Sequence, residues 1–238
     1  MKQAAISEPA QRGVLIWDWP LRLFHWLLTL AIAFSWLTAE LGVEYTQWHM
    51  RSGYCVIGLL AFRLLWGLLG SRYARFGAWL PRPAAIFAYL PTLRHRDSRR
   101  SLGHNPLGAL SVWLLLGLTA LQALTGLFVD DDILYVGLYQ PAVSAALSER
   151  LTNLHHANFD WLLAAIALHV AAILFYLLFK RQNLIMTMIS GRQPAAQSGS
   201  AGARPVAWWR VLLAVGIAVA IVWCMISFAP EPVYDDYF

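Results

Sequence analysis

The sequence predicts an all-α membrane protein, in which a four-helix transmembrane bundle is followed by a fifth, appended transmembrane helix. The chain of 238 residues is 59% hydrophobic and only 13% charged, about half the charge of an ordinary soluble domain. Five apolar segments also reach the length of about 20 residues that a helix needs to cross a bilayer. These segments are residues 21–39, 52–70, 106–129, 157–179 and 207–229.

Basic residues are concentrated in alternate connecting segments, and this pattern predicts the orientation of the chain. Because basic residues are retained on the cytoplasmic side, we expect the N-terminus in the cytoplasm and the C-terminus in the periplasm of a bacterium, with inner-membrane lipid around the spans. An Arg-rich loop can also bind nucleic acid, but topology alone explains this one, and we expect no such partner. The basic residues of segments 1–20, 71–105 and 180–210 are Lys2, Arg12, Arg72, Arg75, Arg82, Arg94, Arg96, Arg99, Arg100, Lys180, Arg181, Arg192, Arg204 and Arg210. The other connecting segments contain Glu40, Glu44, Asp130, Asp131, Asp132, Glu149, Glu231, Asp235 and Asp236.

Four histidines lie in or beside the apolar segments, where an ionisable side chain is costly and marks a candidate functional site. His155 and His169 are fourteen residues apart, almost four helical turns, so they share one helix face and lie about 21 Å apart. In the predicted orientation His25 matches the depth of His169, and His49 matches that of His155. We therefore expect two haem b groups with bis-histidine ligation, held without covalent attachment because no CxxCH motif is present. A hydrogen bond between helices is the alternative for any single histidine.

Other residues close to these histidines have more than one explanation. His104 precedes the third span and could cap its helix, bind a haem propionate or bind a quinone. Arg22 and Arg51 lie close to two of the histidines in sequence, where they can meet propionates or extend to the membrane surface. Arg63 is expected to extend in the same way, and His156 is turned away from the face of His169. Four glycines can make room for a macrocycle or for close helix contact, namely Gly53, Gly58, Gly117 and Gly126.

The organisation of the chain follows from its loops and linkers. Prolines and aromatic residues between the second and third spans predict a short helix at the membrane interface. A Ser/Gly/Ala/Pro run after the fourth span is typical of a flexible linker. Tryptophans at the ends of spans fit aromatic belts, namely Trp17, Trp19, Trp48, Trp208 and Trp209. The predicted units are a di-haem core over 1–192, a linker over 193–206 and a fifth helix with an outer tail over 207–238.

Four stretches of the chain resemble the family of bacterial cytochrome b-561 and Ni,Fe-hydrogenase b-type cytochromes. They are WDWPLRLFHWLL (17–28), HMRSGY (49–54), GHNPLGAL (103–110) and HHANFDWLLAAIALHV (155–170). The resemblance covers nearly all of the four-helix core and none of the fifth span. It implies that two b haems have the axial ligands His25, His49, His155 and His169, and that the core passes electrons between quinone and a partner protein. His156 departs from the pattern, because relatives often carry an acidic residue there.

Three functions remain open from the sequence. The first is an electron-transfer subunit that links quinone to a redox protein, such as a c-type cytochrome or a dehydrogenase or hydrogenase subunit. The second is a stand-alone superoxide-to-quinone oxidoreductase, and the third is a channel or anchor without haem. The additional span with its outer tail favours the first. The acidic outer segments follow from topology alone or dock a positively charged periplasmic partner. For a quinone at the inner face, Arg22 and His104 are the candidate ligands.

Overall fold

Long helices dominate the structure, as the apolar segments predict. Five helices, α1, α2, α4, α5 and α7, are long and apolar enough to cross a membrane, which confirms the all-α membrane fold. The short helix α3 confirms the helix expected between the second and third spans. Helices α1 to α7 comprise Trp19–Glu40, Thr46–Leu69, Pro83–Tyr89, Pro106–Thr125, Ala145–Leu178, Leu184–Ser190 and Trp208–Ser227.

This computed structural model describes most of the chain, including all five long helices. The described residues are 13–80, 82–96, 101–130, 135–194 and 202–231. Several residues of the sequence-based predictions lie outside this part, namely Lys2, Arg12, Arg99, Arg100, Asp131, Asp132, Asp235 and Asp236. The middle of the predicted linker and most of the acidic tail lie outside it as well.

Helix α5 begins twelve residues before the span that its hydrophobicity predicts. Ser144 caps it by accepting a hydrogen bond from the backbone nitrogen of Leu147, a common arrangement at helix starts. The first three turns are mostly polar, so a hydrophobicity pattern marks only the apolar part of the helix. As a result His155 lies ten residues inside α5 instead of at its beginning.

Helix α2 is the centre of the bundle. It packs against α1, α4 and α7, while α5 packs against α4. Hydrogen bonds between neighbours, described below, place the end of α1 beside the start of α2 and the end of α4 beside the first half of α5. We call the end of the bundle where α1 begins the proximal end and the opposite end the distal end.

The fifth long helix is packed firmly on the core. Val211, Ala214 and Ala218 of α7 belong to the same buried apolar cluster as Trp66 of α2. A Cβ atom on Gly58 would lie 3.1 Å from a methyl carbon of Val222, so this glycine serves close contact between α2 and α7. The tertiary structure thus joins the appended helix to the bundle along its length.

A small cluster of backbone contacts fixes the proximal end. Strand β1 (Val14–Leu15) pairs antiparallel with β2 (Arg192–Gln193), which connects the start of α1 to the segment after α6. Asp18 is 3% exposed, and its carboxylate accepts hydrogen bonds from the Leu21 backbone, the Trp66 indole and the Ser71 backbone. The bond from Leu21 caps α1, and the bonds from Trp66 and Ser71 join the start of α1 to the end of α2. Trp17 is buried here, so its assignment to an aromatic belt was wrong.

Candidate haem-binding sites

His49 and His155 face each other at the distal end. Their imidazole centroids are 6.2 Å apart, with the ring planes at 81°. An imidazole nitrogen bonds a transition metal at about 2 Å, so two rings on opposite sides of one iron have centroids about 6 Å apart. The two rings border a cavity of about 770 Å³, a size within the usual range for ligand sites. This arrangement fits one bis-histidine iron.

Both of these imidazoles use their Nδ1 atom for a hydrogen bond to a helix backbone. Nδ1 of His49 lies 2.9 Å from the carbonyl oxygen of Ser35, and Nδ1 of His155 lies 3.0 Å from that of Gln122. A carbonyl only accepts, so each Nδ1 carries the proton and each Nε2 keeps its lone pair. Histidines that bind metals typically donate their second nitrogen in this way. Both rings are therefore prepared to bind iron through Nε2.

A buried threonine donates a hydrogen bond to each of these carbonyl groups. The hydroxyl of Thr38 donates to the carbonyls of Phe34 and Ser35, at 2.9 and 3.0 Å. The hydroxyl of Thr125 donates in the same pattern, to Leu121 at 2.7 Å and to Gln122 at 3.2 Å. Threonine back-bonding of this kind bends a helix locally. The sequence showed no signal for these two residues.

The walls of the distal cavity leave room for a planar group. A Cβ atom on Gly53 would meet nothing within 4 Å, whereas one on Gly126 would lie 3.0 Å from Cε1 of His155. Gly53 therefore leaves space in the cavity, and Gly126 leaves space for the imidazole itself. His156 also borders the cavity, with its ring edge-on to that of His155 at 5.9 Å.

His25 and His169 form the second histidine pair, towards the proximal end. They come from α1 and α5 and lie within electrostatic range of each other. Nδ1 of His25 is buried and has no hydrogen-bond partner in the described part of the chain. An unpaired buried nitrogen is costly, and a metal coordinated by this nitrogen would supply the missing partner. The donor set suits a second bis-histidine haem, which stays a prediction.

His104 lies beside this pair but does not cap a helix. Asn105 performs that role, since its side chain accepts from the backbone nitrogen of Gly108 at 2.7 Å. The His104 ring lies between Trp17 and Trp79, with centroid distances of 4.6 and 4.4 Å. Burial, and then the nearby charges of Arg63 and His169, lower the pKa of His104 from 6.5 to about 3. The imidazole is therefore neutral at physiological pH, and its buried Nδ1 has no hydrogen-bond partner among the described residues.

Arg63 does not extend to the membrane surface, contrary to the sequence-based expectation. It is only 2% exposed, because the segment after α2 folds back over it. Its guanidinium lies over the rings of Phe76 and Trp79, at 4.4 and 5.7 Å from their centroids. A charged residue within an apolar span is the sequence signal that could have marked Arg63 as functional.

The other two arginine candidates have different surroundings. Arg22 donates through Nη1 to the carbonyl of Ile189 in α6, while its buried Nε has no partner within the described ranges. Arg51 stacks on Trp48 at 5.1 Å and borders an apolar groove between α1, α2 and α7. Arg51 is absent from the residues that line the distal cavity. Arg22 thus lies near the proximal histidines, and Arg51 faces the fifth helix.

A membrane-spanning helical bundle with paired histidines around a cofactor-sized cavity is the architecture of a membrane haem protein. The chain belongs to the prokaryotic cytochrome b561 family, which it matches over residues 16–191. It is therefore a membrane b-type cytochrome that works in electron transfer.

Curated relatives agree with this family. Three of them are named probable Ni/Fe-hydrogenase B-type cytochrome subunit. The protein from Cupriavidus necator is 22% identical over 79% of this chain and 90% of its own length. Those from Rhodobacter capsulatus and Azotobacter vinelandii are each 26% identical over 76% of this chain, covering 81% and 88% of their own lengths. No solved structure matches the chain significantly. The names favour an electron-transfer subunit over a self-contained superoxide-oxidising enzyme.

The close approach of Gly126 to His155 generates a prediction. In Gly126→Ala, the new methyl group lies 3.0 Å from the imidazole, so the ring must shift by a few tenths of an ångström and the distal haem should bind more weakly. We expect a change in the low-temperature absorption band of one haem, or its partial loss on purification. Gly216→Ala is the matched control, because its Cβ would meet nothing within 4 Å. Identical spectra for all three proteins would contradict this role of Gly126.

Proposed function

We propose that this chain is a di-haem cytochrome b that carries electrons across the bacterial inner membrane between quinone and a partner redox protein. The observation that carries the proposal is the geometry of His49 and His155. Their rings are spaced for one iron, and both Nδ1 atoms donate to backbone carbonyls. Haem iron with two imidazole ligands supplies one-electron transfer and leaves no open position for oxygen.

The two histidine pairs lie at two depths, separated by most of the thickness of the membrane core. His155 and His169 lie on one helix with a rise of about 21 Å between them, while the hydrocarbon core is about 30 Å thick. Helix α1 supplies His25 at the proximal depth, and α2 supplies His49 at the distal depth. We infer that these residues hold one haem near each membrane face, so that electrons cross in a single step between them.

The orientation in the membrane follows from charge. The segments at the proximal end carry most of the arginine residues, and the distal segments carry the acidic ones. By the positive-inside rule the proximal end faces the cytoplasm, which puts the N-terminus there and the C-terminus in the periplasm. The haem of His25 and His169 is then the inner one.

We place the quinone site at the proximal end, beside the inner haem. His104 is neutral there, and its buried Nδ1 has no partner in the part of the chain that the structure describes, so it is available to hydrogen-bond a quinone oxygen. Arg22 is the second candidate, because its buried Nε is also unpartnered. Both residues lie close to the histidines that come from α1 and α5, which shortens the path for electron transfer.

The partner is inferred from the relatives. Since they are named as hydrogenase cytochrome subunits, we propose a hydrogenase as the electron donor or acceptor at the outer face. A positively charged c-type cytochrome is the second candidate, favoured by the acidic distal segments. Two of the described acidic side chains accept hydrogen bonds within the protein. The carboxylate of Asp130 accepts from the Gln140 side-chain amide at 2.9 Å, and that of Glu40 accepts from the Trp36 indole at 3.1 Å.

Haem content tests the ligand assignment. The pyridine haemochrome assay should give about two haems per chain. In His169→Ala we expect about one, with the inner haem lost, because one imidazole alone does not hold it. His156→Ala is the control and should keep both haems. A wild-type value near one would mean that one of the two pairings is wrong, and a value near zero would refute the proposal.

Quinol-driven reduction tests the quinone site. In proteoliposomes, His104→Ala should slow reduction of the haems by quinol about tenfold, a loss of about 1.4 kcal/mol in the transition state. Arg22→Ala should slow it as well. His95→Ala provides a control, because His95 is an exposed histidine in the same loop. Unchanged rates in both variants would move the quinone site to the outer face.

Reduction by H2 in membranes of the native host tests the partner. We expect H2 to reduce the haems, and deletion of residues 230–238 to slow this reduction and weaken its dependence on salt, since charged docking surfaces raise association rates. Dithionite reduction serves as the control for haem content. If active hydrogenase leaves the wild-type haems oxidised, the hydrogenase assignment is wrong. If deletion changes neither the rate nor its salt dependence, the tail takes no part in docking.

A further inference from the structure

Three buried nitrogen atoms lie together at the proximal end without a hydrogen-bond partner. They are Nη1 of Arg63, Nε1 of Trp79 and Nε1 of Trp113, and none has a partner among the described residues. Trp79 and Trp113 have ring centroids 6.1 Å apart, and the Arg63 guanidinium lies 5.7 Å from the Trp79 ring. We call these three side chains the proximal donor cluster.

Unpaired donors of this kind are costly inside a membrane protein. A buried N–H without an acceptor costs about 1–3 kcal/mol, and more when it carries charge. Indole nitrogens only donate, and guanidinium has no acceptor either. The three groups therefore cannot satisfy one another, and the missing partner must be an acceptor. Because Arg63 is cationic and only 2% exposed, a negatively charged acceptor fits best.

Among the described residues, no protein group around Arg63 supplies this acceptor. Asp18 acts on Arg63 electrostatically, but its carboxylate already accepts three other hydrogen bonds. Phe76 and Trp79 contact the flat face of the guanidinium. A cation–π contact of this type satisfies the face of the cation and leaves the N–H at its edge unpaired.

The fold builds this cluster by a specific close approach. Phe76 lies directly against Gly67 of α2, where any Cβ atom would overlap its ring. Phe76 also packs against Trp113 of α4, with centroids 4.8 Å apart. The segment after α2 therefore folds back, covers Arg63 and brings Trp79 beside Trp113. The result is a buried group of hydrogen-bond donors, shielded from water, at the depth of the proximal histidines.

We propose that the proximal donor cluster binds a propionate carboxylate of the haem that His25 and His169 hold. This inference rests on the proposed function, because it assumes an inner haem. The cluster lies close to that haem's ligands, since the ring of His104 contacts Trp79 at 4.4 Å and His104 is within electrostatic range of His169. A carboxylate accepts from all three donors and neutralises Arg63.

The midpoint potential of the inner haem tests this assignment. Arg63 adds positive charge close to the haem, so it favours the reduced state. In Arg63→Gln the reduction equilibrium constant of the inner haem should fall about tenfold, a decrease of about 59 mV for one electron. The potential of the outer haem should stay unchanged. Trp79→Phe and Trp113→Phe each keep an aromatic side chain but remove one donor, and should shift the inner potential in the same direction by less.

Two further variants separate charge from structure. Arg63→Lys keeps the charge and should retain most of the wild-type potential. Arg72→Gln removes an exposed arginine at the same end of the bundle and should leave both potentials unchanged.

If a full complement of haem is present but none of the Arg63, Trp79 and Trp113 variants moves the inner potential, the propionate assignment is wrong. If they slow quinol-driven reduction instead, with potentials unchanged, the cluster binds quinone and the assignment is also wrong. If the wild-type protein contains no haem at all, the proposed function itself is wrong.

Discussion

The hydrogen bonds from the two distal imidazoles to helix carbonyls are the interactions on which the candidate haem site depends. Helix carbonyls are normally engaged within their own helix, so Ser35 and Gln122 accept an imidazole N–H in addition to that role. The threonine hydroxyls of Thr38 and Thr125 bond the same carbonyls, which fixes the local helix geometry. One tautomer follows for each histidine, and both leave the Nε2 lone pair available to bind a metal.

The same constraint, that a buried polar group needs a partner, separates the two ends of the bundle. At the distal end, Asn158 is buried and donates to the carbonyl of Leu118 at 3.0 Å and to the side chain of Gln122 at 2.7 Å. Such bonds between α4 and α5 satisfy the protein internally and hold the helices that carry His155 and its acceptor. At the proximal end, several buried nitrogens have no partner among the described residues. The distal end is thus organised by protein contacts, whereas our proposals assign acceptors from a haem and a quinone to the unpartnered nitrogens of the proximal end.

Helix α7 changes the surroundings of the bundle without adding a histidine. It packs along α2, which is the helix that carries His49 and Arg63, and it shares a buried cluster with Trp66. Near its distal end the Tyr139 hydroxyl donates to the carbonyl of Met225 at 2.9 Å. These contacts hold α7 against the bundle and leave an apolar groove that Arg51 borders. The positions of α2 and its functional side chains therefore depend partly on a helix outside the histidine-bearing core.

The sequence by itself determined the membrane class, the five spans and the histidines that share a helix face, because length, hydrophobicity and helical period are local properties. It did not indicate the burial of Arg63, because a charge in an apolar span also fits a side chain that extends to the membrane surface. Only the tertiary structure decided that Arg63 is covered and not extended to the surface, and that Asn105 and not His104 caps α4. It also decided that Thr38 and Thr125 donate to the carbonyl groups that accept a hydrogen bond from His49 and His155. Each of these depends on how a loop folds back or how two helices pack, and such contacts join residues far apart in the chain, so no local pattern contains them.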